Sequence, residues 1–164
     1  MALIHNHLAQ ERLTALVEEL KRVRYWRGDL PQEVLAARLN VATHSVADWE
    51  AGRDNPSAPH LMAWSRELGL RVAITDSDGN EIPVAPDTDT ACEEPYPQRE
   101  LRRLSTALRT ARMRRRLTQA SLAAKLGVNQ RSITRWERAE GYPRPIGFVL
   151  WARALECNVR LLPT

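Results

Sequence analysis

The sequence contains few of the features that mark secreted, membrane-bound or redox proteins. Its 164 residues include only two cysteines, Cys92 and Cys157, and no CxxC pair. Two such cysteines form one disulfide at most, and they indicate the reduced thiols of a cytosolic protein. No apolar run approaches the roughly 20 residues of a membrane span, and the N-terminus lacks the basic start and apolar core of a signal peptide. We therefore expect a cytoplasmic protein without a membrane anchor.

Patterns typical of enzymes and metal sites are missing as well. The four histidines, His5, His7, His44 and His60, have no carboxylate or thiol at the spacing of metal ligands. There is no glycine-rich phosphate loop, and no Ser/His/Asp or paired-carboxylate arrangement stands out. We expect no catalysis, no metal and no cofactor.

Charge is unevenly distributed along the chain. Residues 1–75 balance 9 basic against 9 acidic residues, residues 76–98 carry 7 acidic and no basic ones, and residues 99–164 carry 15 basic and 4 acidic ones. Positive charge concentrated in one third of a chain suits a surface that binds phosphates. Charge that serves only solubility is usually mixed in sign. The last third is therefore predicted to bind nucleic acid.

The chain contains an internal repeat. Residues 30–75 align without a gap with residues 117–162, and 15 of the 46 positions are identical, which indicates a duplicated unit. Residues 30–75 and 117–162 are 87 positions apart, whereas the leucines of the preceding helix, such as Leu13 and Leu101, are 88 apart. The two copies therefore differ by a one-residue insertion near Gly28. Each copy is predicted to form four helices, near 11–27, 31–39, 43–51 and 58–68 in the first and near 99–115, 118–126, 129–138 and 145–156 in the second.

Short runs typical of strands, at 71–75 and 158–162, follow the fourth helix of each copy. We predict that they pair as a small antiparallel sheet. The first run turns at Asp78-Gly79 into a returning strand at 81–85, which Pro83 confines to a sheet edge. The predicted domains are 1–75, a hairpin and acidic proline-rich linker at 76–98, and 99–164.

Residues 117–139 have the pattern of two short helices joined by a tight turn. Leu122 and Leu126 lie one helical turn apart, and Gly127 suits the left-handed conformation that ends the first helix. The second helix presents Gln130, Arg131 and Arg135 outwards, and their donors match base edges and phosphates. This helix is predicted to enter the major groove of DNA. Further arginines are predicted phosphate contacts: Arg114, Arg115, Arg116, Arg138 and Arg144.

Both copies share the motif Gln-x-x-Leu-Ala-x-x-Leu-(Gly/Asn)-Val-x-x-x-Ser-(Ile/Val)-x-x-Trp-Glu. This motif resembles that of the Cro/C1-type helix-turn-helix family, also called the xenobiotic-response-element family. The resemblance implies a mainly helical fold with two tandem lambda-repressor-like domains. The layout of two units in one chain is similar to that of immunity repressors of actinobacterial phages.

The resemblance also implies which residues contact DNA. In the second copy they are Gln119, Gln130, Arg131 and Arg135, and in the first copy Gln32, Thr43, His44 and Asp48. From the residues themselves we add as candidate DNA contacts Asn129, Ser132, Arg138 and Arg144 in the second copy and Ser45 and Arg53 in the first. The family's internal salt bridge falls on Arg112–Glu137 and Arg24–Glu50, and we assign these four charges to structure because a desolvated arginine needs a partner.

Asp48 leaves two roles open for the first copy, because phosphates repel a carboxylate unless it accepts from cytosine N4. Two hypotheses follow. In one, the chain is a nucleoid-associated transcriptional repressor that binds double-stranded DNA as a monomer or dimer, through both recognition helices, on an asymmetric bipartite site. In the other, the second copy binds DNA while the first docks a protein partner, as in an antitoxin. Mutating Thr43, His44 and Asp48 together distinguishes the two.

Overall fold

The computed structural model describes residues 2–85 and 93–164, with side chains from His7 onward. The first copy consists of α1 (Ala2–Arg27), α2 (Gln32–Leu39), α3 (Thr43–Glu50), α4 (Ala58–Glu67) and β1 (Leu70–Thr75). The second consists of α5 (Tyr96–Arg114), α6 (Gln119–Leu126), α7 (Gln130–Glu137), α8 (Pro145–Ala154) and β2 (Asn158–Pro163). The predicted mainly helical class is confirmed.

Two helices begin earlier than predicted. α1 begins at Ala2 rather than at residue 11, so the helix also includes residues 2–10, which are of mixed polarity. α5 begins at Tyr96, inside the segment predicted to be linker, rather than at residue 99. Pro95 and Pro97 flank that start, and proline is tolerated in a first helical turn because its missing N–H would be unpaired there anyway. The other six helices agree with their predicted bounds to within two residues.

The turn inside each helix-turn-helix unit is closed by a residue in the left-handed conformation. Asn40 ends α2 at φ 55° and Gly127 ends α6 at φ 71°. The amide of the following valine then donates to a carbonyl of the preceding helix, Val41 to Ala36 at 3.0 Å and Val128 to Ala123 at 3.1 Å. These bonds satisfy carbonyls that a helix end leaves unpaired. The two helix-turn-helix units therefore close their turns in the same way.

The strands of the two copies pair with each other, as predicted. β1 and β2 form an antiparallel two-stranded sheet in which Leu70 lies opposite Pro163 and Thr75 opposite Asn158. On α1, Arg12 donates from Nη2 to the carbonyl of Val159 on β2 at 2.6 Å. The sheet and this hydrogen bond join the first copy to the second.

The predicted returning strand at 81–85 does not form. Asp76 and Asn80 close a turn through a 2.8 Å backbone hydrogen bond, and Glu81 then makes an isolated bridge to Thr75. The amide of Ile82 donates to Ile74 at 2.9 Å, but Pro83 has no N–H with which to continue the ladder. Residues 86–92 of the predicted linker, including Cys92, lie outside the described residues.

The apolar core runs continuously through both copies. Leu13, Leu16 and Trp64 of the first copy belong to the same buried cluster as Leu104 and Trp151 of the second. Each fully buried leucine contributes about 1.5–3 kcal/mol relative to an exposed one. Inside this core, residues of both copies line an apolar cavity of about 10 Å³, a volume near the lower limit for one water. This cavity is too small for a regulatory ligand.

Two further features bear on the sequence predictions. Cys157 is a buried free thiol, and burial raises its pKa above the ordinary value. Within the described part of the chain, no helix combines the length and the apolar character needed to cross a bilayer.

Candidate nucleic-acid interface

Helix α7 is fixed at its start by a side-chain cap. Oδ1 of Asn129 accepts from the amide of Ser132 at 2.8 Å and from the Ser132 hydroxyl at 3.0 Å. Asn129 therefore caps α7, whereas Ala42, the equivalent residue before α3, makes no side-chain cap. Asn129 and Ser132 hydrogen bond to each other, so either residue would contact DNA while it also forms part of the cap.

The inner face of α7 is anchored by an ion pair. Nη2 of Arg112 on α5 donates to Oε2 of Glu137 at 3.0 Å, and Nη1 donates to the carbonyl of Leu117 at 2.7 Å. Gln119 at the start of α6 donates from Nε2 to the same carboxylate at 2.9 Å. Its Oε1 accepts from the Thr134 hydroxyl at 2.8 Å. We call Arg112, Gln119 and Glu137 the clamp of the second copy.

The first copy has an equivalent clamp, formed by Arg24, Gln32 and Glu50. Arg24 donates to Glu50 from Nε at 2.6 Å and from Nη2 at 2.8 Å, and Gln32 donates to the same carboxylate at 2.6 Å. The side chain of Glu50 is 4 % exposed and that of Glu137 is 2 % exposed. The predicted DNA contacts Gln32 and Gln119 therefore hydrogen bond inside the protein, an arrangement that sequence reasoning missed.

Three predicted base contacts are exposed on α7. They are Gln130, at the first helical position, and Arg131 and Arg135, one turn apart, whereas Ile133 and Glu137 of the same helix are buried. Arg138, which follows the helix, and Arg144, which precedes α8, are also exposed. Helix α7 itself therefore exposes long donor side chains and no acidic one, and the exposed Glu140 lies beyond its end, near Arg138.

On the first copy, the outer face of α3 is different. Thr43 and His44 are exposed and Ser45 is half-buried. Oδ1 of Asp48 accepts a hydrogen bond from Nε of Arg53 at 2.8 Å, so the carboxylate that put this copy in doubt is paired with a cation. Pairing removes most of the repulsion that a lone carboxylate would feel from phosphate.

A family model described as helix-turn-helix matches the chain twice, over residues 20–74 and over residues 108–162. The two matches cover more than half of the chain and coincide with the two copies. The chain belongs to the Cro/C1-type helix-turn-helix family. No curated protein and no solved structure matches it. The family has the fold of a DNA-binding regulator and not of an enzyme.

Within this family fold, the two copies reverse the polarity of one pair of charges. Asp48 and Arg53 of the first copy correspond to Arg135 and Glu140 of the second. Nη2 of Arg135 lies 3.4 Å from the carbonyl of Glu140, whose carboxylate lies 4.0 Å from Arg138. This reversal can be read from the sequence alone. Positions 48 and 53 hold an acidic and a basic residue, and the aligned positions 135 and 140 hold a basic and an acidic one.

The arginines at the end of α5 were predicted to contact phosphates. Arg114, Arg115 and Arg116 are all exposed there. Arg115 pairs with Glu156 at 2.6 Å, and Arg116 adopts a positive φ of 55° that ends the helix. Arg115 would therefore have to exchange its partner on binding DNA.

An aromatic pair stands out on the first copy. Tyr25 and Trp26, near the end of α1, are 78 % and 82 % exposed. The other four tryptophans pack in two pairs, Trp49 against Trp64 and Trp136 against Trp151, at centroid distances of 6.0 and 5.6 Å. Tyr25 and Trp26 are thus large apolar groups placed where a partner can reach them.

Among residues 2–85 and 93–164, no group of histidine, cysteine and acidic side chains could hold a metal ion.

Proposed function

We propose that this DNA-binding regulator is a transcriptional repressor that binds an asymmetric, two-part site on double-stranded DNA, with one recognition helix in each half. The observation that carries the proposal is that α7 exposes Gln130, Arg131 and Arg135 while it buries Ile133 and Glu137 against the protein. A helix of this shape fits the major groove, and its side chains carry the donors that groove recognises.

Each exposed side chain suits a particular partner on DNA. A guanidinium such as that of Arg131 or Arg135 can donate to O6 and N7 of guanine, and the amide of Gln130 can pair with adenine. Arg138 and Arg144 flank the helix and suit phosphates, which set affinity and salt dependence without choosing sequence. In the first copy, Thr43, His44 and Arg53 take the corresponding positions.

Repression by occlusion agrees with the rest of the described structure. A protein seated in the major groove of a promoter blocks polymerase without help from a second ligand. The apolar core cavity of about 10 Å³ is too small for a small-molecule inducer, and two larger clefts, of about 480 and 270 Å³, are open to solvent. We propose that DNA binding itself is the regulatory event.

Selection of bound DNA from a random pool tests sequence-specific binding. Replacing Gln130, Arg131 and Arg135 together by alanine should lower affinity for the selected DNA by about 100-fold or more, since each good base contact contributes about 1–3 kcal/mol. Arg153→Ala removes one exposed charge at the end of α8 and is the control, with affinity expected to stay within about twofold. Unchanged affinity in the triple variant would contradict the proposal.

Transcription in vitro tests the sign of regulation. With the selected site placed across a promoter, added protein should lower transcript yield, and the triple variant should not. An increase in transcript would contradict a repressor.

A second candidate function is favoured by the first copy. Its charges balance over residues 1–75, and it exposes Tyr25 and Trp26 at the end of α1. These features suit a surface that docks another protein while α7 holds DNA. Replacing Thr43, His44 and Asp48 together distinguishes the two functions: a changed sequence preference supports DNA contact by both copies, and an unchanged footprint supports docking.

A further inference from the structure

The two copies are related by a two-fold rotation that the strand register reveals. Ala73 on β1 lies directly opposite Arg160 on β2, and these two residues are counterparts in the repeat alignment. Antiparallel strands that place counterparts opposite each other have a two-fold axis perpendicular to the sheet at that pair. The neighbouring pairs obey the same rule, because the counterparts of Val72 and Leu161 are Val159 and Ile74, which also lie opposite each other.

The helices obey the same symmetry. α1 packs on α8, and α5, the counterpart of α1, packs on α4, the counterpart of α8. The two clamps and the two tryptophan pairs are likewise equivalent. The chain is therefore built like a symmetric dimer in which both subunits belong to one polypeptide.

This symmetry fixes the relation between the two recognition helices. α3 and α7 must lie at equal distances from the axis and run in opposite directions about it. Double-stranded DNA has two-fold axes perpendicular to its own axis, so a two-fold protein matches half-sites that are inverted copies of each other. Two units joined only by a flexible linker would have no such preference and could accept direct repeats.

We propose that a single chain binds two half-motifs in inverted orientation, about one helical turn apart, and that the inverted symmetry is broken at the bases facing residues 48 and 135. This inference rests on the proposed function and adds the orientation of the half-motifs and the place where they differ.

The reversed charges of Asp48–Arg53 and Arg135–Glu140 indicate where the two half-motifs differ. In the second copy the cation, Arg135, stands on the recognition helix itself. In the first copy the equivalent residue is Asp48, and the cation, Arg53, stands on the loop after the helix. Because the Asp48 bond uses Nε of Arg53, it orients the guanidinium so that its terminal nitrogens can face DNA. Asp48 is thus a positioning residue, and the two half-motifs differ where Arg53 and Arg135 make their contacts.

DNA duplexes with rearranged half-motifs test the orientation. The selected half-motifs are placed in inverted, direct and outward-facing order, with centres about 10–10.5 base pairs apart. Inverted order should bind at least about tenfold more tightly than direct order, and native mass spectrometry should show one chain per duplex. Equal affinity for inverted and direct order, or two chains per duplex, would overturn the inference while leaving DNA binding intact. A failure to select any specific DNA would overturn the proposed function.

A charge-exchange variant tests the position of the asymmetry. Asp48→Arg combined with Arg53→Glu gives the first copy the pair polarity of the second. This variant should shift preference at the facing base of one half-motif by about fivefold or more, as one bidentate contact is gained or lost. The matched control is Arg38→Glu with Glu67→Arg, which reverses an exposed pair that lies 3.0 Å apart between α2 and α4.

The control variant should keep the original sequence preference. If exchange at residues 48 and 53 leaves the selected sequence unchanged, or alters both half-motifs equally, the assignment of Asp48 and Arg53 is wrong. Urea unfolding of both variants shows whether each is folded, so that loss of binding is not mistaken for loss of specificity.

Discussion

At the scale of single residues, Glu50 and Glu137 decide how the recognition helices are held. Each is almost completely buried and pairs with an arginine of the first helix of its copy. Burying two charges costs solvation energy that the pair and its added hydrogen bonds offset only when the geometry is good. The glutamine in each clamp supplies one of these bonds. The motif therefore keeps its glutamine and its glutamate at fixed spacing for a structural reason, the hydrogen bond between them.

Glu137→Gln tests this account. The variant leaves the Arg112 guanidinium buried without its counter-charge, so we expect unfolding free energy to fall by about 3 kcal/mol in urea titrations. The comparison is Glu156→Gln, which breaks the exposed Arg115–Glu156 pair, with side chains 41 % and 70 % exposed. Its cost should be about 1 kcal/mol or less. If both variants lost the same unfolding free energy, burial of the Arg112–Glu137 pair would contribute nothing to stability.

Glu81 ties the turn after β1 to both copies. It pairs with Arg71 on β1, and Arg103 on α5 approaches it at 3.3 Å. The hydrogen bonds from Arg71 hold the pKa of Glu81 below its ordinary value of 4.5, against the opposing effect of burial. A lowered pKa in the folded state means that this carboxylate stabilises the fold above its unfolded pKa, and that the contribution is lost as pH falls through the folded pKa.

Glu81→Gln should therefore lower the unfolding free energy at pH 7 by up to about 1 kcal/mol. The difference from the parent protein should hold down to about the ordinary carboxyl value of 4.5 and shrink below it, as the parent carboxylate is protonated. Urea titrations between pH 7 and pH 3 measure this difference. A gap that widened as pH fell would contradict the assignment.

At the scale of elements, the sequence predicted the short helices better than the long ones. α2, α3 and α4 have apolar residues at helical spacing and end at turn residues, so their limits follow from local rules. At the start of α1, apolar residues such as Ile4 and Leu8 are separated by His5, Asn6 and His7, and this mixture marks no helix boundary. The start of α5 was hidden because prolines are typical of linkers as well as of first helical turns.

The cap difference between the two copies gives a prediction at this scale. Asn129→Ala should lower unfolding free energy by about 1 kcal/mol, because two groups at the start of α7 lose their acceptor. Ala42→Asn should stabilise the start of α3 by a similar amount, since Ala42 already has the extended backbone of a cap residue. Both effects are measured without DNA by urea unfolding. A destabilised Ala42→Asn variant would show that the start of α3 is not open to a side chain.

At the scale of the whole molecule, the sequence predicted the pairing of the strands but not the shared core. Pairing follows from two equivalent strand-like runs, each at the end of a copy. The packing of α1 on α8 and of α4 on α5 joins residues far apart in sequence, and no local pattern specifies it. The symmetry could have been deduced only after the register was known.

A continuous core implies that the copies unfold together. Ile74→Ala, at a fully buried site on β1, should lower stability by about 2–5 kcal/mol. Amide hydrogen exchange should then accelerate by a similar factor in α6 and α8 of the second copy as in α2 and α4 of the first. Val34→Ala, at an exposed site on α2, is the control and should leave exchange in both copies unchanged. Exchange that accelerated only in the first copy would contradict a common unfolding unit.

The pairing of Ala73 with Arg160 has one further consequence. In an ordinary homodimer both sides of the axis come from one gene segment, so every substitution happens twice and a palindrome is enforced. Here the two sides are encoded separately, and a small apolar residue already faces a long cation across the axis. On the two-part site that we propose, a mutation in α3 could therefore follow a base change in its own half-motif while α7 keeps its contacts. The proposed site could then evolve one half at a time.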